Sequence, residues 1–412
     1  MSSVNTFQSL NANFKEAYAD KLKNLVPENV KLMNMIKFAS KDKQPGNLYH
    51  QPVILQQEHG ITFATSDDDA VNLNAAVAGA IKDATIRGNV AVLRSNLGYA
   101  AASRAAQGGA KAFEDATKYL VANMLRSMAK KLEIEMLYGQ VGYGAVATGG
   151  VSGSTVVVAT AEWAPGIWSG AEGMPIEIRD AAGTTSRGEF VITAVDMELR
   201  KLTLSASAAT AGVIATDVIW HKGAYGKEFA GVHKILTQTT GTLFGIDVAA
   251  YNLFKGNEYS AGSAPISFAK LNKAATRGVE KGQDGKLVCL VNPRGWADML
   301  NDQAALRRFD GSYSKKKMEN GAEALEYSSQ NGLIEIHAST FVKEGYAYLL
   351  SIEDFSRIGS SDVTFKRPGR EDEFFMDRPD SMAYEMRLFT DQAIFNSAPG
   401  HSTLISNISN AS

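Results

Sequence analysis

The chain has one cysteine, Cys289, in 412 residues. No disulfide can form within it, and a thiolate metal cluster would need ligands from several chains. That usage fits a reducing compartment. The six histidines (His50, His59, His221, His233, His337 and His401) are scattered, with no pair four residues apart on one helix face. No zinc-binding pattern results. Net charge is nearly absent: 42 basic residues stand against 44 acidic ones. Global charge therefore does not point to nucleic acid or to an anionic membrane. Long apolar runs are lacking too. Met136 to Ala161 carries no charged residue, but it holds six glycines and several hydroxyls and is no membrane-spanning helix. The polar first ten residues are expected to carry no secretory signal.

Catalytic motifs are missing in the same way. Gly226-Lys227 and Gly285-Lys286 are the nearest fragments of a phosphate-binding loop, and neither is followed by the required hydroxyl. Gly142 and Gly144 lack the third glycine of a dinucleotide fingerprint. No G-x-S-x-G elbow occurs. Asp67-Asp68-Asp69 does not have the spacing of an EF-hand loop and reads as a solvated loop tip. Lys315-Lys316-Lys317 has no aromatic interleaving and reads as a solvated run. Cys289 lies among apolar neighbours and reads as a small buried hydrophobe. No catalytic, cofactor-binding or metal-ligating residue is assigned, and no cofactor is expected.

What is present is organisation. Lys111 to Tyr138 is the longest helical pattern. Phe113, Leu120, Met124, Met128, Leu132 and Met136 keep one face apolar, and lysines, arginines and acids occupy the others. At about 1.5 Å per residue it would span roughly 42 Å, with its charged face expected on an outer surface. Before it, residues 7 to 38 hold two short amphipathic segments split by Pro27, each too short to be stable alone. Residues 46 to 95 read as two long strands, Tyr49 to Ala64 and Asn89 to Leu93, joined by an irregular tip, with Asn72 to Lys82 ambiguous. An isolated two-stranded ribbon is marginal in water, so this arm needs a partner surface.

After the helix the composition shifts. Between 150 and 225, Val-, Thr- and Ala-rich strand-length runs recur about every ten residues: Thr155–Val158, Met174–Ile178, Glu189–Val195, Lys201–Ser205 and Asp217–Trp220. That spacing predicts a small all-β module, barrel or sandwich. The remainder alternates helix and strand. Phe268 to Gly282 reads as helix, Leu287–Val291 as a central strand stopped by Asn292-Pro293, Ile352 to Ile358 as a helical or turn segment, and Ser381 to Phe389 as a closing strand. The class is α+β.

Three stretches then carry a resemblance: Tyr49–Leu55 with Glu58-His59-Gly60, Val288–Trp296 with its Asn292-Pro293 turn, and Arg387–Ala393. With the order of the parts, they resemble the major capsid proteins of tailed bacteriophages, which share the Hong Kong phage 97 fold. The resemblance implies an N-terminal arm over 1–45, an extended β-loop over 46–105, and a spine helix with part of a peripheral domain over 106–149. It further implies an axial domain over 229–375 and a return to the peripheral domain with a C-terminal tail over 376–412. The β module over 150–228 is an insertion beyond the minimal fold. The implied function is structural: self-assembly in hexamers and pentamers into an icosahedral shell around double-stranded DNA, with no catalysis and no membrane. The implied partners are the chain itself, a scaffolding protein, a portal, a decoration protein, and packaged DNA contacted non-specifically. The implied location is the virion, after synthesis in the host bacterial cytoplasm. Arg87, Arg94 and Arg104 near the ribbon base serve either inter-subunit ion pairs or a basic inner face. The alternatives are an encapsulin-like compartment shell, which shares the fold, and an α+β enzyme.

Overall fold

The computed structural model describes residues 30–39, 48–66, 71–98, 110–302, 325–329, 332–366, 376–377 and 383–410. Among the described residues, two two-stranded sheets, a six-stranded sheet, a four-stranded sheet and a closed barrel accompany one long helix.

The ribbon comes first. β1 (Tyr49–Gln56) pairs antiparallel with β2 (Ala80–Ile86), from Tyr49 opposite Ile86 to Gln56 opposite Ala80. β3 (Asn89–Gly98) belongs elsewhere. This corrects the expected pairing, in which Asn89–Leu93 closed the ribbon and Asn72 to Lys82 had no assignment. Ala80–Ile86 escapes a period-2 reading because Ile81, Lys82 and Asp83 are all exposed and only Ala84 is fully buried. Pro52 is tolerated in β1 because β1 has one neighbour among the described residues, so a missing N–H need not break a ladder.

The long helix runs Ala110–Tyr138, 29 residues. Leu120, Met124, Met128 and Leu132 recur every four residues and are buried against Met386 and Leu388. Its end is set by close approach. A Cβ at Gly139 would lie 2.2 Å from the carbonyl oxygen of Phe229. Gln140 then takes a left-handed conformation, φ 65°, which turns the chain off the helix axis.

The inserted strands form a closed barrel. β4 (Gly144–Ser152), β5 (Thr155–Val158), β6 (Pro175–Arg179), β7 (Ser186–Asp196), β8 (Lys201–Leu204) and β9 (Val218–His221) close in the order β4-β5-β8-β7-β6-β9. Val156, Val158, Ile176, Ile178, Ile192, Leu202 and Ile219 alternate inward and are fully buried. Closure leaves no free edge. β4 is absent from the sequence reading because Ala147-Thr148-Gly149-Gly150 breaks the alternation.

A two-stranded hairpin, β10 (Thr242–Leu243) with β11 (Ile246–Asp247), follows. The next strands are β12 (Asn257–Ala264), β13 (Leu287–Val291), β14 (Leu325–Ser329), β15 (Gly332–Ala338) and β16 (Ala347–Leu350). Then come β17 (Phe355–Thr364), β18 (Met376–Asp377), β19 (Ala383–Asn396) and β20 (Thr403–Ile408). The six-stranded sheet has the order β12-β20-β16-β13-β15-β14. β13 is buried along its whole length, as its apolar run implies. Asn292 then caps the helix Pro293–Leu300 by accepting from the Arg294 N–H at 3.0 Å, and Pro293 takes a first-turn position.

The four-stranded sheet is built on β19, which pairs with β17 and β18 and along ten residues with β3, Ala383 opposite Gly98 through Gln392 opposite Asn89. Ile352–Asp354 is a 3₁₀ turn, but the chain is extended from Phe355 onward, so the expected helical reading of Ile352 to Ile358 covers only its first half. Sheet membership also cuts across the boundary drawn at 375. β17 lies before it and joins β19, whereas β20 lies after it and sits inside the six-stranded sheet.

Candidate assembly surfaces

The ribbon carries its apolar side chains outward. Ile54 and Ile81 face each other across the ladder and are 70% and 65% exposed. Beyond them the tip is tied by its own backbone. Asn74 donates from its N–H to Thr62 Oγ1 and from its amide to the Ile61 carbonyl, both at 2.9 Å, and His59 N–H donates to the Val77 carbonyl at 3.1 Å. These bonds fix the tip while Phe63 and Leu73 stand 91% and 83% exposed. Large exposed apolar side chains on a held loop mark a candidate contact surface. β3 adds Val90 and Val92, also exposed, on a strand paired on one side only among the described residues.

The segment entering the body is clamped at two points. Glu133, fully buried on the long helix, accepts from the backbone N–H groups of Lys31, Leu32 and Met33 at 3.1, 2.9 and 2.8 Å. These are orphan donors at the start of the short helix Leu32–Met35, and a carboxylate satisfies them best. Burial pushes the Glu133 pKa up, and the three N–H groups pull it down. Four residues on, Arg357 of β17 donates to the Ile36 carbonyl at 3.0 Å, and its backbone N–H donates to the Lys37 carbonyl, also at 3.0 Å.

The charged face of the long helix does not face outward over its last two turns, although Arg126 is still exposed. Lys130 donates to the Ser169 carbonyl at 2.5 Å, and Lys131 to Glu228 at 3.3 Å. Both partners flank the barrel strands, so the expectation of a charged outer face is corrected there. The inserted barrel covers what would otherwise be solvated surface. Burial lowers the Lys130 pKa to about 8, with Glu172 opposing.

Glu135 lies in the same junction and accepts from the Phe229 N–H at 3.3 Å. Its pKa is raised from 4.5 to about 7, first by burial and then by the neighbouring Glu228 charge. A raised folded-state value means the folded chain holds this proton more tightly than the unfolded chain. The stabilisation is therefore full below about 4.5 and is lost as pH rises through about 7. Glu135→Gln removes the titration, so its melting temperature is expected to decline less than the parent's over that window in calorimetry. Parallel profiles for the two proteins would overturn the assignment.

A buried polar network joins helix, barrel and six-stranded sheet. Lys343 is buried. Its ammonium donates to Glu162 at 2.6 Å and to the Gly142 carbonyl at 3.2 Å, and lies 4.3 Å from the centre of the Tyr138 ring. Tyr346 donates to the other Glu162 oxygen at 2.8 Å. These bonds hold the Glu162 pKa down against burial. His233 pairs with the Tyr348 hydroxyl at 2.9 Å, and burial first, then the Lys343 charge, lowers its pKa to about 4. Next to it, Arg200 of the β7–β8 hairpin pairs with Glu344 at 3.0 Å. Backbone bonds from Gly166 to Thr340, Glu344 to Trp163 and Gly345 to Ala161, at 2.8, 2.9 and 2.9 Å, complete the seam.

None of the residues weighed for chemistry forms a reactive cluster. Cys289 is buried in β13, and burial pushes its thiol pKa up. Arg94 lies 3.9 Å from Glu385, and Arg87 lines a cavity described below. Asp67–Asp69, Lys315–Lys317 and Arg104 lie outside the described residues. Among the described residues no three His, Cys, Asp or Glu side chains are placed to hold a metal, and no helix is long and apolar enough to cross a membrane. Sequence reasoning missed Glu133, Lys343 and Glu162, whose side-chain partners lie between 100 and 201 residues away.

No protein-family model matches the chain, and no curated protein matches it in sequence. Solved structures do match in shape. The subunit of the cyanophage A-1(L) capsid asymmetric unit aligns over 98% of this chain and 100% of its own, at 11% identity and a TM-score of 0.55. This chain has the phage capsid fold. The capsid of a native GTA particle aligns over the same 98% and 100%, at 9% identity and a TM-score of 0.50. The match spans nearly the whole chain, whose architecture is of α+β class.

Proposed function

We propose that the chain is a major capsid protein, the repeated subunit of an icosahedral shell that encloses phage double-stranded DNA. The observation that carries this reading is the near full-length match to the cyanophage capsid subunit. The exposed apolar ribbon tip supports it, because a surface of that kind is stabilised when another copy covers it. Affinity is then spread over many modest contacts, each copy using its ribbon and its anchored arm. Hexamers and pentamers of this chain are the assembly units. A scaffolding protein, a portal and a decoration protein are the partners the reading implies, and the virion is the location.

The test is electron microscopy of the purified full chain across a range of salt, pH and concentration. Closed particles of uniform diameter are the expected result. Only monomers or small irregular oligomers under every condition would overturn the reading. The contents of particles made in cells separate two kinds of shell: nucleic acid supports a capsid, and a protein cargo overturns it in favour of a compartment.

A further inference from the structure

At the base of the ribbon, the turn after β2, the end of the long helix, the segment leaving the barrel, the helix Val232–Thr237 and the β10–β11 hairpin enclose a cavity of about 340 Å³. Two cations line it, Arg87 from the turn and Lys234 from the helix, and no carboxylate does. Among the described residues neither cation forms an ion pair. Thr85 and Thr242 add hydroxyls, and the half-buried Phe244 adds an aromatic side chain, while Phe229 is buried in the core.

Two carboxylates lie beside cavity-lining residues without lining the cavity themselves, Glu228 next to Phe229 and Asp391 against Gly88. The Glu228 carboxylate accepts from Lys131 at 3.3 Å and from the Gln140 N–H at 3.4 Å. Carbonyls at the end of the long helix are satisfied, Glu135 by the Gly139 N–H at 2.7 Å and Tyr138 by Val141 at 2.9 Å. One Asp391 oxygen accepts from Ser360 at 2.5 Å, and the other is buried against Gly88 without a hydrogen-bond partner. Two unneutralised cations in a concave wall focus positive potential into it.

We propose that this cavity binds a nucleotide phosphate. The Arg87 guanidinium presents a fork matched to a phosphate oxyanion, Lys234 adds a point charge, and the hydroxyls are neutral donors. A lone phosphate would leave much of the volume unfilled. The partly exposed Phe244 ring suits an attached base, since base–aromatic stacking is tolerant of sequence. The shared chemistry is the phosphate group, from a free nucleotide or from a nucleic-acid strand. The site does not depend on shell assembly, and an unassembled chain is expected to show it.

Calorimetric titration of the purified, unassembled full chain at low salt tests this with inorganic phosphate, deoxyadenosine monophosphate and a single-stranded DNA oligonucleotide. The nucleotide, the strand or both are expected to bind more tightly than inorganic phosphate. Arg87→Gln with Lys234→Gln is expected to weaken that binding about tenfold or more. For the strand, it should reduce the slope of log affinity against log salt by about 0.7, one phosphate contact. Binding of the mononucleotide alone assigns a nucleotide pocket, and binding of the strand assigns a strand contact. The single variant Lys234→Gln, checked by circular dichroism, guards against a folding defect. No binding by the parent, or equal binding by parent and double variant, overturns the proposal. Lost particle formation in the variant without phosphate binding by the parent also overturns it, and gives the two cations to a carboxylate of another copy.

Discussion

Phe63→Asp is expected to abolish particle formation while leaving the subunit's unfolding free energy within about 0.5 kcal/mol of the parent. The argument rests on where this ring sits. Phe63 is 91% exposed in the isolated chain, so the fold gains almost nothing from it. Covering a phenylalanine side chain on a neighbour is worth about 1.5–3 kcal/mol. A charge at the same place turns that gain into a desolvation cost, because a carboxylate buried without a partner is strongly unfavourable. A shell repeats the contact at every subunit, so a loss of about 1.4 kcal/mol per contact, a tenfold change in each association constant, is compounded many times. Sedimentation velocity reads the assembly and chemical denaturation reads the fold. Normal particles from Phe63→Asp would remove the tip from the interface. A subunit destabilised by several kcal/mol would show that the ring is packed within its own chain. Leu73→Asp, on the same tip and 83% exposed, is the companion variant.

Much of the architecture was legible in the sequence because it is written as local periodicity. The four-residue stripe Leu120, Met124, Met128, Leu132 is buried, and the five-residue apolar run of β13 is a central strand. Five of the six barrel strands lie where Val- and Thr-rich runs recur. What was not legible has no local period. β2 carries three consecutive exposed residues, and β4 is interrupted by paired glycines, so neither alternates. The polar anchors are the larger omission. Glu133, Glu135, Lys130 and Lys131 look like an ordinary solvated helix face. Their burial follows from an insertion folding back over the helix and from residues 31–33 arriving from about a hundred positions away. A single sequence records neither event.

That fold-back also decides how the inserted barrel behaves. The barrel is joined to the body by both of its connections, and a third fastening holds its 160–167 region against the 339–346 segment. Lys343 is the centre of that fastening. Lys343→Met is expected to destabilise the chain by about 3–5 kcal/mol, because it leaves Glu162 in a largely desolvated site without its cation. The Gly142 carbonyl loses a charged donor at the same time. The double variant Lys343→Met with Glu162→Met is expected to recover most of that loss. Replacing a buried ion pair by apolar residues of similar volume is often close to neutral. The residual deficit falls on Tyr346, whose hydroxyl loses its acceptor. Denaturant unfolding of parent, single and double variants measures the coupling directly. A small loss in the single variant would mean that water reaches Glu162 and that the seam is held by its backbone bonds alone. A double variant as unstable as the single one would place the loss in packing, with the methionine unable to replace the lysine stem across the Tyr138 ring.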